Sequence, residues 1–376
     1  MMNNLRIFVD AHVFDGPYQG TTSFIKGLYT ALAKLYPKLE ILMGANDTAN
    51  LREEFSRLPN YCKFIKYTYK TWLRYFYDIP LILKKYKPSI AHFQYICPPG
   101  QNSTKYIVTI HDLLFNDFPE DFSISYRFFR NIFFKKSALK SDILTTVSQY
   151  SKKSIVRHYG IENDRISVIP NAVSDRYFLD YDKEKAKRFI FNKYGIKNYI
   201  LYVSRIEPRK NHDMLLNSYL DLELWKRGIP LVFIGNCAGK NNKFLWMLKD
   251  LTGRIKGFIH HIDQLDENDL LEFYRGASLF IYPSKAEGFG IPPIEATALG
   301  IKTLCSNRTA LADFGFLNSG LFNPYDIDEL KEKIIMALDD KLFPEEELVD
   351  ISNHVKLKYS WEKSASTFMK LIEKVV

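Results

Sequence analysis

Two glutamates, Glu287 and Glu295, stand eight residues apart in the string "SKAEGFGIPPIEATALG" (284–300). Gly288, Gly290, Pro292 and Pro293 lie between them. A carboxylate can accept two hydrogen bonds from neighbouring hydroxyls such as a ribose diol. Glycine leaves the backbone bare, so its amides can come close to a ligand. These residue types at this spacing point to recognition of a nucleotide or a sugar. Taken singly, Glu295 also suits a helix dipole and Glu287 a solvated loop. The reading rests on the whole string.

The flanking segments must position these groups. "ASLFIYPS" before the string and "IKTLCS" after it read as buried strands. Pro292 and Pro293 can open a helix, because the first turn leaves its N–H groups unpaired anyway. Gly300 fits just past the helix end. Glu287 is therefore expected in the loop at the carboxyl end of a strand, and Glu295 in the first helical turn. Open α/β sheets bind ligands beyond the carboxyl ends of their strands. Free amides at a helix N-terminus attract phosphate.

The same alternation runs through the chain. In the first half "LRIFVDAHV", "EILMGAN", "SIAHFQY", "KYIVTIHD" and "DILTTVS" read as strands. In the second half "NYILYVSRIEP", "PLVFIGNC", "GFIHHI", "ASLFIYPS" and "KTLCS" do so. The stretch beginning "ISVIPNAVSD" reads as the connection between halves. The fold expected is α/β, two Rossmann-like doubly wound domains facing a central cleft. Their bounds are expected at 1–172 and 173–355, with 356–376 a C-terminal helix capped by Ser360 and packing back toward the first domain. "DGPYQGTTSFIKG" is neither G-x-G-x-x-G nor a P-loop. Gly20, Thr21 and Thr22 nevertheless fall at a strand-to-helix turn whose amides can meet phosphate or sugar; the alternative is a plain turn.

Charge and cysteine usage narrow the class. Cys62, Cys97, Cys237 and Cys305 are scattered, which suits reduced core thiols of a cytoplasmic protein rather than a disulfide or zinc framework. Asp10 and His12 interrupt the N-terminal apolar run, so no signal peptide is expected. No apolar stretch approaches the ~20 residues of a bilayer span. Between residues 61 and 160 sixteen Lys and Arg face six Asp and Glu, which accounts for the net charge of +9. "KFIKYTYKTWLRYFYDIPLILKKYK" (Lys63–Lys87) and "YRFFRNIFFKK" (Tyr126–Lys136) mix basic and aromatic residues there. Such mixing suits an anionic membrane surface; the alternative is an ordinary helix with its lysines in water. No nucleic-acid motif accompanies them.

The string Glu287–Glu295 resembles the E-x7-E element of retaining glycosyltransferases of family four, which have the two-Rossmann-domain GT-B fold. "TIHDLLF" (109–115), "TVSQYSKKSI" (146–155), "VIPNAV" (168–173), "YVSRIEPRKN" (202–211), "VFIGN" (232–236) and "DENDLLEFYRGASLFIYPS" (266–284) agree with the family in order and spacing. The resemblance spans nearly the whole chain and is weakest over about 40–100. It implies that Arg205 and Lys210 grip the donor diphosphate, with Lys210 favoured over its neighbour Arg209. It implies that Glu295 holds the ribose, and that Glu287 lies beside the donor hexose. The amides of Gly288, Phe289 and Gly290 would then meet sugar hydroxyls. His111 resembles the histidine that reaches across the cleft to the transferred sugar, with Asp112 an orienter or a helix cap. Gly20 falls in the family's first loop, but Thr21, Thr22 and Ser23 replace its usual second glycine and arginine. Ala312 and Asp313 stand where the family often has Pro-Glu.

The reaction implied is retaining, metal-independent transfer of a hexose from a nucleotide sugar, GDP-mannose or a UDP-sugar, to a glycan or lipid-linked acceptor. No cofactor and no metal are expected, because the basic pair neutralises the leaving diphosphate and no D-x-D is apparent. The similarity around "TIHDLLF" and "EPRKN" leans toward bacterial mannosyl-type transferases of surface-polysaccharide assembly. Two other classes stay open: a nucleotide-sugar 2-epimerase of the same fold, and a non-catalytic sugar-binding protein. The expected place is the cytoplasm, with peripheral contact at the inner face of the membrane.

Overall fold

The computed structural model describes residues 5–17, 19–56, 58, 62–100, 103–237 and 243–376. They form two compact units, Met1–Ala172 with Tyr359–Val376, and Val173–Lys358.

The first unit is built on seven strands: β1 (Arg6–Asp10), β2 (Glu40–Ala45), β3 (Cys62–Lys66), β4 (Ile90–Gln94), β5 (Lys105–Thr109), β6 (Ile143–Thr146) and β7 (Ile166–Val168). Their order is β3-β2-β1-β4-β5-β6-β7, and all neighbours are parallel. The second unit has β8 (Ile200–Val203), β9 (Leu231–Ile234), β10 (Ile259–Ile262), β11 (Leu279–Tyr282), β12 (Thr303–Ser306) and β13 (Leu321–Phe322). These run parallel in the order β10-β9-β8-β11-β12-β13. Both are doubly wound Rossmann-like sheets. Central strands such as β4 and β11 are buried throughout, as parallel strands covered on both faces must be. Strand order reverses between β1 and β4, and again between β8 and β11. Those two reversals are where such sheets open a crevice for ligands.

Three strands stand where the sequence reading has none. β7 lies inside "ISVIPNAVSD", read as a connection, and β13 lies beyond the last strand read. β3 overlaps the start of the basic, aromatic segment Lys63–Lys87, which folds as a strand, a short turn at Trp72–Tyr75 and a helix at Asp78–Tyr86 rather than as the ordinary helix that is its alternative reading. Lys63 and Lys66 are tolerable in β3 because it is an edge strand, and lysine on an edge discourages pairing with another chain.

The last helix, Trp361–Ile372, belongs to the first unit and packs on the helix Gly20–Leu35. Ser360 occupies its N-cap position, but its side chain makes no capping hydrogen bond. Trp361 lies over Gly27: a Cβ added there would come within 2.0–2.5 Å of the indole ring. Gly27→Val should therefore wedge the two helices apart and lower stability by about 1–3 kcal/mol. Chemical denaturation reads the loss, and an unchanged midpoint would show that the indole can move aside at no cost.

Candidate active site

The second unit gathers charge at its strand reversal. "SRIEPRKN" leaves β8 and "PSKAEGFG" leaves the adjacent β11, so both loops stand at the carboxyl ends of neighbouring strands. Asn211 pins the first loop to the second: its backbone is left-handed at φ 60°, and its amide donates to the carbonyls of Pro283 (3.2 Å) and Pro324 (2.8 Å). The N–H of Lys285 donates to the Arg209 carbonyl at 2.8 Å.

Two carboxylates and three cations interleave there. Glu207 binds Arg205 at 2.7 Å and Arg209 at 2.8 Å. Arg209 also reaches Glu287 at 3.3 Å and donates to the Ala286 carbonyl at 2.7 Å. Lys210 Nζ pairs with Glu287 Oε1, which further accepts from the Tyr282 hydroxyl at 2.9 Å. Burial alone would raise the Glu287 carboxyl, but Lys210 and Arg209 overcome it and hold the group at about 2. Burial, helped by Arg209, lowers Lys210 to about 8 despite Glu287. Lys210 is favoured over Arg209 by the resemblance, whereas the fold brings both to one carboxylate. The sequence reading overlooked Glu207 and Tyr282, because a tyrosine ending an apolar strand looks like core.

The helix Ile291–Ala298 opens one residue before the prolines. Glu295 is thus its fifth residue and lies in the second turn, not the first. The prolines at positions two and three have no N–H, so the helix start is a weaker anion site than the sequence suggested. Gly290 caps the helix at φ 100°, and a Cβ there would strike Leu311 at 2.4 Å. Phe289 is buried with its ring edge-on to Phe314 at 5.6 Å, so only its backbone is available to a ligand. The Tyr274 hydroxyl donates to Glu295 at 3.0 Å. Burial pushes the Glu295 carboxyl up to about 7, against the pull of Tyr274, Arg176 and Tyr177.

In the first unit His111 follows β5. It is 5 % exposed, meets the Phe24 ring edge-on at 5.1 Å, and lies 2.6 Å from Gln94 Oε1. Burial lowers its pKa to about 3. Asp112 accepts from the Leu114 N–H at 3.2 Å, a local turn contact. Gly20 begins its helix behind Gln19, whose side chain forms a capping box with Thr22. Its surroundings are open and set no steric demand for glycine. Among the described residues no cluster of metal-ligating side chains occurs.

Residues 183–356 match the family described as glycosyl transferases group 1, and residues 18–177 match glycosyltransferase family 4. The chain is 30% identical over 261 residues to the O-antigen chain mannosyltransferase B of Escherichia coli, covering 69% of this chain and 67% of that relative. The chain belongs to glycosyltransferase family 4. The chain is also 30% identical over 246 residues to the serotype-specific mannosyltransferase WbdA of Escherichia coli, but the match spans 63% of the chain and only 29% of that longer relative. Its fold is that of the solved GT-B enzymes. Anabaena Alr3699/HepE, solved with UDP-glucose, superposes with a TM-score of 0.75 at 14% identity over 98% of this chain and 99% of that one.

Proposed function

We propose that the protein is a retaining, metal-independent hexosyltransferase that moves a sugar from a nucleoside-diphosphate donor to a hydroxyl of a glycan or lipid-linked acceptor. The carrying observation is the cluster Arg205–Glu207–Arg209–Glu287–Lys210 at the reversal between β8 and β11. Glu207 and Glu287 hold the cations in place before any ligand arrives. Arg205 forks onto one phosphate and Lys210 supplies a point charge to another. Their attraction grows as the diphosphate departs, which stabilises the transition state more than the ground state. A divalent metal is then unnecessary. Glu287, anionic and tied to Lys210, Arg209 and Tyr282, suits acceptance of hydrogen bonds from donor hydroxyls, with the Gly288–Gly290 amides as donors beside it. His111 meets the transferred sugar, and the turn at Gly20 offers amides to the donor. The mannosyltransferase relatives favour GDP-mannose as the donor and surface-polysaccharide assembly on the cytoplasmic side as the setting.

Glu295 is assigned to the ribose diol, and calorimetry tests it. Glu295→Gln should weaken the nucleotide sugar and the free nucleoside diphosphate alike. The carboxyl sits at about 7 in the unliganded fold, so the affinity of wild type relative to the variant should climb between pH 6 and 8 as the carboxylate forms, effects of pH on the phosphates and on Lys210 being common to both. Equal affinities for variant and wild type would refute the role.

The acceptor side is proposed to lie against an anionic membrane. The helix Ile124–Lys140 buries only Phe134, Ser137 and Ala138, and leaves Ile124, Phe128, Phe129 and Phe133 exposed among Arg127, Arg130, Lys135 and Lys136. Trp72, Phe76, Tyr77 and Leu81 are likewise exposed. A solvated helix face does not call for so many bare rings, whereas a headgroup boundary accommodates them. No helix among the described residues is long and apolar enough to cross a membrane. The protein should co-sediment with anionic vesicles, less with neutral ones, and be released by 1 M salt, where the Debye length is ~3 Å. Charge reversal at Arg127, Arg130, Lys135 and Lys136 should weaken sedimentation and leave nucleotide binding intact. No sedimentation at low salt would favour a soluble acceptor.

A further inference from the structure

His92 lies in β4 with no exposed surface, and nothing in the transfer reaction uses it. It sits in a hydrogen-bonded chain that leads to His111. Tyr29 Oη is 2.8 Å from His92 Nδ1. Thr109 Oγ1 is 2.7 Å from His92 Nε2, and Thr145 Oγ1 is 2.7 Å from Thr109 Oγ1. Gln94 spans the two imidazoles, its Nε2 3.2 Å from His92 Nε2 and its Oε1 2.6 Å from His111 Nε2.

Donor and acceptor rules place the proton on His111. An amide oxygen only accepts, so His111 must carry its proton on Nε2. A neutral ring so arranged has its acceptor at Nδ1. Burial keeps both rings neutral, each lowered to about 3. The other titratable groups nearby do not reverse this. Asp10 at the end of β1 pulls His92 the other way but counts for less than burial. Asp112 turns to the Leu114 amide, and Tyr95 packs its ring against His111 at 5.4 Å.

We propose that Gln94 is a positioning residue that fixes His111 as a neutral imidazole with its proton on Nε2, so that Nδ1 is the atom that accepts from a hydroxyl of the transferred sugar. This rests on the reading that His111 meets that sugar. The advantage of the arrangement is selectivity for a hydroxyl donor: an imidazolium, or the opposite tautomer turned the same way, would offer N–H where an acceptor is needed.

Nitrogen NMR of the full chain labelled at histidine tests the positioning directly, with His111→Asn and His92→Asn assigning the signals. His111 should carry its proton on Nε2, and both histidines should be neutral at pH 6. Gln94→Glu keeps an acceptor against Nε2–H and should raise the His111 pKa from about 3 by roughly 1–3 units, so that imidazolium appears only as pH falls below about 6. Gln94→Met keeps the volume without the amide and should release His111 into a mixture of tautomers. In Gln94→Met kcat should fall by about 10–100-fold, and in Gln94→Glu it should fall only below about pH 6, while affinity for free nucleoside diphosphate at neutral pH stays at the wild-type value in both. A wild-type His111 protonated on Nδ1, or an unaltered tautomer in Gln94→Met, overturns the proposal. A redistributed tautomer with unchanged kcat upholds the positioning and instead sinks the assignment of His111 to the sugar.

Discussion

Lys210→Ala should lower turnover by about 10²-fold or more, the range seen when one transition-state donor is lost. The lysine is the buried cation of the cluster, 8 % exposed, and a buried charge acts with little screening by solvent. Nucleotide affinity should fall less than turnover, because the contact strengthens as the leaving group develops charge. Arg209 still reaches Glu287 at 3.3 Å, so the carboxylate is not stranded and the variant should fold. Steady-state kinetics with a donor that wild type turns over is the measurement. Unchanged kcat in a folded variant would remove Lys210 from the chemistry.

Glu287→Ala should be costly in a different way, through stability. It leaves Lys210 buried without its carboxylate, and breaking a buried ion pair costs about 3–5 kcal/mol. The loss should be greatest near pH 7 and smaller at pH 9. The stranded lysine, already lowered to about 8 beside Glu287, loses its proton more readily without it and no longer has to be buried as a cation. The wild type shows the opposite limb. The Glu287 carboxyl is held at about 2, below its ordinary value of 4.5. Its contribution is therefore present above pH 4.5 and fades as pH falls toward 2. Urea unfolding at pH 3, 7 and 9 reads both limbs. A variant as stable as wild type at pH 7 would mean that Arg209 and water can satisfy the cluster without the glutamate.

The strands that escaped the sequence have one property in common. β3, β7 and β13 are all edge strands. An edge strand is paired on one side only and need not be apolar on both faces, so Lys63 and Lys66 in "CKFIK" mask it. The three residues of β7 and the two of β13 are too short for any periodicity to show. The central strands, apolar and bounded by Pro or Gly, were legible to within a few residues.

The site was legible in its landmarks and not in its pairing. The string around Glu287 announced a loop and a helix. The helix begins at Ile291 rather than at the prolines, because Gly290 at φ 100° already supplies the cap. That single-residue shift moves Glu295 to the second turn and beside Tyr274. Spacing alone cannot tell which of Arg209 and Lys210 meets Glu287, because consecutive residues in a tight turn can both face one acceptor. Gln94 was unreadable for another reason. Its partners His92 and His111 come together only when β4 and β5 pair, and no local pattern marks that.

The chain leaves the first unit after Ala172 and re-enters it at Tyr359. The second unit is in effect a continuous insertion between the body of the first and its final helix. A shortened gene ending near residue 358 would therefore damage the domain at the opposite end of the sequence: it uncovers Gly27 and the face of the helix Gly20–Leu35 that Trp361 and Phe368 cover. A fragment spanning 173–358 would keep every partner in the Arg205–Glu207–Arg209–Glu287–Lys210 cluster. Premature termination and internal deletion thus strike different halves, and a tag fused after Val376 reports on the half that begins at the N-terminus.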